Sequence, residues 1–369
     1  MSLAPVHRRL LEAVGATVAG DGDWEGAVAS ARAHGLVAVL DAHARRQPGT
    51  PAAVRDELAQ AHAGQAARGL LHARELASML TVLRARSIPC APLRGVALAE
   101  RLYGDAAARP AGDIDLLVRR ADLDRVARAL TALGFVEVDR RRGFAREFGY
   151  TLELVKDVHG GVVVEPHWTL AYPPFADALD MERVWAACRP GRVAGVDTLL
   201  LAPAAVLLNL CLHVVHKAPD VPLLWLLDIA RLVGREGHGL DWRELVALAR
   251  GAGVEGQVGA TLRRVAATFP MTLPAGVLEA LAPAGRTPLD PLLGAEAGVD
   301  GRESLALFFA LTGVRRRARY AAALLFPSPR FMALEYGLTR RRHLAPAYAR
   351  RVSYFAWQAL RGTARLLFR

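Results

Sequence analysis

Arg109-Pro110-Ala111-Gly112-Asp113-Ile114-Asp115-Leu116-Leu117-Val118 reads as a short apolar strand that carries two carboxylates one residue apart. Side chains alternate along a strand, so Asp113 and Asp115 face one way while Ile114, Leu116 and Val118 face the other and anchor it. Two like charges on one face repel, and a cation between them removes the repulsion. Mg²⁺ takes carboxylate oxygens and fills its other positions with substrate phosphates, so the stretch points first at phosphate chemistry. Solvated acid pairs are common, and a D-x-D standing alone carries little weight.

This one does not stand alone. Downstream, Val162-Val163-Val164-Glu165-Pro166-His167-Trp168 places a third carboxylate inside an apolar strand, where an unpaired charge costs several kcal/mol. A shared metal accounts for Asp113, Asp115 and Glu165 together. Upstream, Leu93-Arg94-Gly95-Val96 reads as a strand-to-helix turn, where glycine lets the backbone approach a ligand and the helix N-terminus offers N–H groups to an anion. Any strand–helix connection can contain a glycine, but beside the acids this one supplies a phosphate cradle.

Working outward, residues 86–170 read as a compact α/β unit. Ile88 to Leu93 is a strand, Val96 to Tyr103 a helix, and Asp113 to Val118 a strand. Asp122 to Leu133 is a helix closed by Gly134. Phe135 to Val138, Phe148 to Val155 and Val162 to His167 read as strands, the last two joined by a hairpin turn over Asp157 to Gly161. Residues 1–85 are helical, with apolar positions at Trp24, Val28 and Ala31, at Leu36, Val37 and Leu40, and at Leu76, Met79, Leu80 and Leu83; Gln47 to Pro51 breaks them. Helices return over 171–305, most periodic at Pro203–Val215, Val221–Val233, Trp242–Ala249 and Gln257–Phe269, with a Pro/Gly-rich loop from Ala282 to Gly298. A basic tail over 306–369 contains two more. The fold class is α+β.

At 369 residues the chain suits two or three domains, and its 53% hydrophobic content is ample for their cores. Cys90, Cys188 and Cys211 form no C-x-x-C pair, and nothing at the N-terminus resembles a signal peptide, so a reduced, cytoplasmic chain is expected. The uncharged run Thr198–His216 approaches the length of a bilayer span, but Pro203, Asn209, His213 and His216 favour a buried helix starting at Pro203. The net charge of +11 is local: residues 313–369 hold thirteen arginines, no lysine and a single acid, Glu335. There Tyr348, Val352, Phe355, Trp357, Leu360, Leu366 and Phe368 mix with Arg350, Arg351, Arg361, Arg365 and Arg369. Such a helix suits an anionic membrane surface or RNA phosphates, or docks on the body with its arginines solvated.

An h-x-G turn, a D-x-D strand and a lone acid on a later strand resemble the DNA polymerase β-like nucleotidyltransferase superfamily. The closer resemblance is to the bacterial family labelled uncharacterised nucleotidyltransferases. It is carried by Ile88-Pro89, Leu93-Arg94-Gly95, Leu102-Tyr103, Arg109 through Val118, Glu165-Pro166-His167-Trp168, Leu210-Cys211-Leu212-His213 and Leu223 through Ala230. It continues into the tail through Leu325-Phe326-Pro327-Ser328 and Tyr336-Gly337, nearly the whole chain. Two residues depart from the pattern: Val96 stands where the superfamily turn carries serine or glycine, and Arg94 where the closer family is expected to carry lysine.

The resemblance implies a small mixed-sheet nucleotidyltransferase core flanked by N-terminal and C-terminal helical segments. It implies Mg²⁺, with Mn²⁺ as the alternative, held by Asp113, Asp115 and Glu165 together with an NTP; Glu165 serves a second metal position or acts as base toward a hydroxyl acceptor. That acceptor is a small molecule, a peptide or an RNA. Arg94 and Gly95 are the phosphate-binding candidates in the turn, and Lys217 is the candidate from the helical domain. Arg109 either binds phosphate or pairs with Asp113. His167 shares a face with Glu165 and either touches the site or is a structural histidine. Asp228 pairs with His213 or Lys217 beside the site. The alternative to catalysis is a noncatalytic nucleotide-binding or scaffold protein of the same fold, tethered by its basic tail.

Overall fold

In a computed structural model of the chain, which describes residues 23–106, 108–138, 141, 143–216, 221–283, 302–338 and 340–367, the acid-bearing stretch becomes the second strand of a five-stranded mixed sheet. The strands are β1 (Cys90–Pro92), β2 (Ile114–Val118), β3 (Val136–Glu137), β4 (Leu154–Lys156) and β5 (Val162–His167), in the spatial order β1-β2-β5-β4-β3. β2 and β5 run parallel and every other neighbouring pair is antiparallel.

Alternation divides the sheet's two faces between two cores. Ile114, Leu116 and Val118 of β2, with Val162 and Val164 of β5, pack against Leu76, Met79, Leu80 and Leu83 of the Ala52–Ala85 helix and Leu123, Val126 and Leu130 of the Leu123–Thr131 helix. Gly134 follows that second helix at φ 90°, a conformation glycine adopts without strain. Leu117 belongs to the other core, with Leu207 and Leu208 of the Pro203–His216 helix and Leu226 and Leu227 of the Leu223–Glu236 helix. That core also takes in Ala27, Leu36, Leu40 and Leu58, so the Trp24–His34 and Val37–Arg46 helices pack with the later helical segment. Helices also form at Trp242–Gly251 and Glu255–Thr268, and most of the Ala282–Gly298 loop lies outside the described residues.

Four local expectations are corrected. Residues 171–200 contain a hairpin, β6 (Arg189–Val193) and β7 (Val196–Leu200), rather than helix alone. Its turn holds Ala194 at φ 49° and Gly195 at φ 74°, so both central residues are left-handed, as a two-residue hairpin turn requires. Phe148 closes a short helix, Phe144–Phe148, instead of opening β4, because it packs edge-on against Tyr320 of the tail at 5.1 Å. Val96–Tyr103 is one α turn, Val96–Leu98, running into a π-helical stretch, Ala99–Tyr103, which buries Leu98, Ala99 and Leu102 together. The tail contains three helices after residue 310, Val314–Leu325, Pro329–Glu335 and Leu344–Leu367, and the break between the first two falls at Pro327.

The Pro203–His216 helix does begin at Pro203, and ten of its fourteen residues are buried. Among the described residues no helix is long and apolar enough to cross a membrane.

Candidate active site

The parallel ladder sets Asp115 beside Glu165 and Leu117 beside His167. By the period of two, Asp115, Glu165 and His167 leave the sheet on the face opposite Ile114, Leu116 and Val118. Asp115 is buried, and its Oδ1 accepts from Arg94 Nη2 at 2.7 Å and from His167 Nε2 at 2.8 Å. Glu165 Oε2 lies 3.5 Å from the same His167 nitrogen. Asp115 Oδ2 is buried without a hydrogen-bond partner among the described residues. An unpaired buried acceptor costs about 1–3 kcal/mol, so this oxygen is the atom most in need of a cation.

Charges in the cluster shift one another. Burial raises Asp113, the charges of Asp115 and Glu165 add to the effect, and its carboxyl is pushed up to about 6 despite Arg94 and His167. Burial works the same way on Asp115. There the Arg94 charge, the His167 hydrogen bond and the charges of His167 and His213 outweigh it and hold the carboxyl well below the usual range. For His167, burial opposes protonation, but hydrogen bonds to Asp115 and Glu165 reverse the balance and raise it. Asp115, Glu165 and His167 are, among the described residues, one group of three metal-type side chains whose donor atoms all lie within 4.8 Å of one another. Their donor set, with the orphaned Asp115 Oδ2, fits a divalent cation.

Arg94 is held from two sides. Its Nη2 donates to Asp115, and its Nη1 donates to Asn209 Oδ1 at 3.1 Å, while Asn209 Nδ2 donates to the Leu170 carbonyl. Gly95 adopts φ 55° and ψ −121°, and a Cβ there would sit 3.3 Å from the Asp113 carbonyl oxygen. Both facts require glycine: the conformation is closed to L side chains, and the turn packs directly on the backbone of the acid strand.

The sequence profile of a family described as uncharacterised nucleotidyltransferase matches residues 20–270. The chain belongs to this family. No curated protein and no solved structure gives a match. The nucleotidyltransferase profile covers the sheet, most of both cores and every candidate residue from Arg94 to Asp228, and ends before the arginine-rich tail.

Within this member of the family, Asp113 stands outside the compact trio, although the charges of Asp115 and Glu165 act on it. His167 stands inside it. Arg109 pairs with Asp228 rather than Asp113: Nε and Nη2 reach Asp228 Oδ2 at 2.9 and 2.8 Å, and Tyr103 donates to Asp228 Oδ1 at 2.8 Å. Both partners of that ion pair are buried, and it joins the loop before the acids to the Leu223–Glu236 helix. Arg109 and Tyr103 are thus the partners the structure gives to Asp228 among the described residues. His213 stacks on Trp225 at 4.0 Å, and its charge still reaches Asp115. Lys217 lies outside the described residues.

Val96, the departure in the turn, is buried in the core with Ile88, Cys90 and Ile114, so its side chain does not compete for space beside the acids. The α turn after Gly95 is only Val96–Leu98, shorter than the helix expected to cradle phosphate. Asn209 was not among the candidates, although a lone amide within the apolar Pro203–His216 helix is the kind of signal that marks a buried polar partner. A small pocket of about 20 Å³, space enough for one water molecule, is lined by Arg94, Tyr150, His167, Tyr172, Asn209 and His213. A cleft of about 900 Å³ lies between the β6–β7 hairpin and the start of the Pro203–His216 helix and includes none of Asp113, Asp115 and Glu165. Two arginines on its wall are already paired, Arg101 with Glu236 and Arg183 with Glu244.

Proposed function

We propose that the chain transfers NMP from an NTP to a hydroxyl acceptor in a Mg²⁺-dependent reaction, with Mn²⁺ as the alternative ion, and releases pyrophosphate. The observation that carries this reading is the buried, unpartnered Oδ2 of Asp115 beside Glu165, with Asp113 pushed toward neutrality by burial and by the charges of both. Arg94 and His167 already balance Asp115, and a cation beside its Oδ2 would offset the repulsion between Asp113 and its neighbours Asp115 and Glu165. Asp113, Asp115 and Glu165 would hold it, and when bound it neutralises phosphate charge and stabilises the entering and leaving oxygens.

The chain's own residues account for the rest of the reaction. Arg94 presents a planar fork to phosphate oxygens, with Asn209 holding its other nitrogen in place. Gly95 keeps the backbone close to the acid strand, and Lys217 contributes a second positive charge to the triphosphate. Where it is not holding the ion, Glu165 takes the proton of the acceptor hydroxyl, whose oxygen forms a bond to the α-phosphorus as the bond to the β-phosphate oxygen breaks. The acceptor is a small molecule, a peptide or an RNA.

Asp115→Asn tests this reading. Transfer of label from α-³²P NTP is expected to fall by about 10³-fold, since losing several kcal/mol of charge stabilisation costs tenfold for each 1.4 kcal/mol. Full activity in the variant overturns the assignment. The Arg94–Asp115 ion pair, which occupies a guanidinium nitrogen, favours a second reading, a noncatalytic nucleotide-binding protein of the same fold. Calorimetry that finds NTP binding without pyrophosphate release across acceptor classes decides for it.

A peripheral contact of residues 313–369 with an anionic membrane belongs to the same proposal. Arg319 pairs with Glu147, and Tyr320 packs on Phe148, so this part of the tail docks on the body. Leu334, Trp357 and Leu360 remain 69%, 50% and 70% exposed among the arginines, a composition suited to an anionic interface. The protein is expected to sediment with vesicles containing phosphatidylserine at low salt and to be released at high salt. Equal partition onto neutral vesicles counts against the contact.

A further inference from the structure

Asp115, Glu165 and His167 differ from the three carboxylates that the sequence singles out, because the third compact member is an imidazole. His167 is buried at the end of β5, where Leu117 of β2 pairs with it on one side and Thr151 bridges to it on the other, so its backbone is held on both sides of the strand. Its ring packs against Tyr150 at 5.5 Å. Nε2 lies 2.8 Å from Asp115 Oδ1 and 3.5 Å from Glu165 Oε2. Ligand atoms about 2.0–2.1 Å from one ion stand about 3 Å apart when cis in an octahedron and about 3.4 Å apart in a tetrahedron, so the observed separations bracket those of atoms sharing an ion.

A second observation points at the same place. Asp115 Oδ2 is buried without a partner although the other oxygen of that carboxylate accepts two hydrogen bonds. His167 has settled on the occupied oxygen and leaves the free one available.

Resting on the metal-dependent reading above, we propose that Asp115, Glu165 and His167 form a mixed nitrogen–oxygen position for a divalent first-row transition ion, with His167 Nε2 as a direct ligand. Mg²⁺ takes oxygen donors and parts with water reluctantly, whereas imidazole raises affinity along the first-row series. This position therefore discriminates between ions, unlike one built from Asp113 and Asp115 with nucleotide phosphates. Nε2 ligates only without its proton, so ion binding exchanges its hydrogen bond to Asp115 for the bond to the ion.

Mn²⁺ added to the full chain without nucleotide is the probe. The pulsed EPR spectrum is expected to show modulation from a directly coordinated ¹⁴N. His167→Gln is expected to abolish that modulation and weaken Mn²⁺ binding by at least about tenfold. Because the modulation is read on the unmodified protein, the result does not depend on how the variant folds. Mn²⁺ bound with no nitrogen coupling overturns the imidazole ligand and leaves the carboxylate site standing. Calorimetry that finds neither Mn²⁺ nor Mg²⁺ bound, with or without NTP, overturns this inference and the metal-dependent reading with it.

Discussion

Asp228→Ala is expected to lower stability by about 3–5 kcal/mol, the usual cost of leaving one member of a buried ion pair without its partner. Asp228 is fully buried, Arg109 is nearly so, and the pair spans 119 residues of sequence, with Tyr103 on the second carboxylate oxygen. With only 6% of its surface exposed, Arg109 has too little access to water for hydration to replace the lost charge. A buried ion pair can, however, be exchanged for apolar groups of similar volume at little net cost. The triple variant Tyr103→Phe, Arg109→Met, Asp228→Leu is therefore expected to recover most of the loss in a urea titration. A single variant as stable as the parent would mean that the ion pair holds nothing together.

Asp113→Asn is expected to separate activity from stability. In chelator the folded chain protonates Asp113 at about 6, above its ordinary value of 3.8. Between those pH values the native state keeps a proton that the unfolded chain has released, so stability falls as pH rises through that interval and then levels off. Above it, the ionised carboxylate costs the native state about 1–3 kcal/mol, and asparagine removes that cost. At pH 7.5 the variant is expected to unfold at higher urea than the parent, with the difference vanishing near pH 3.5. Label transfer from NTP, in contrast, is expected to fall by about 10³-fold. A variant no more stable than the parent at pH 7.5 would show that the acids do not strain one another.

The acid strand and β5 were legible because alternation and apolar content agree over both segments, and the β5 bounds Val162–His167 are those the pattern gives. The N-terminal helices were legible for the same reason. The β6–β7 hairpin was not, since Arg189-Pro190-Gly191-Arg192 shows no apolar alternation and its turn uses Ala194 in place of the usual Asn or Asp before Gly195. Phe148 misled because its partner, Tyr320, lies far along the chain. The same distance hides the choice of Asp228 by Arg109 and of Asn209 by Arg94: sequence shows that a buried charge needs a partner, not which of several acids or amides the fold brings to it.

The ladder between β2 and β5 carries a consequence for how such a chain tolerates change in length. Asp115 and Glu165 are aligned by direct strand pairing, not by the helix, strands and hairpin between them. Residues can be inserted or lost in the turn over 157–161 without moving either acid. A single-residue slip within β5 would instead turn Glu165 and His167 into the apolar layer and bring Val164 and Pro166 out in their place.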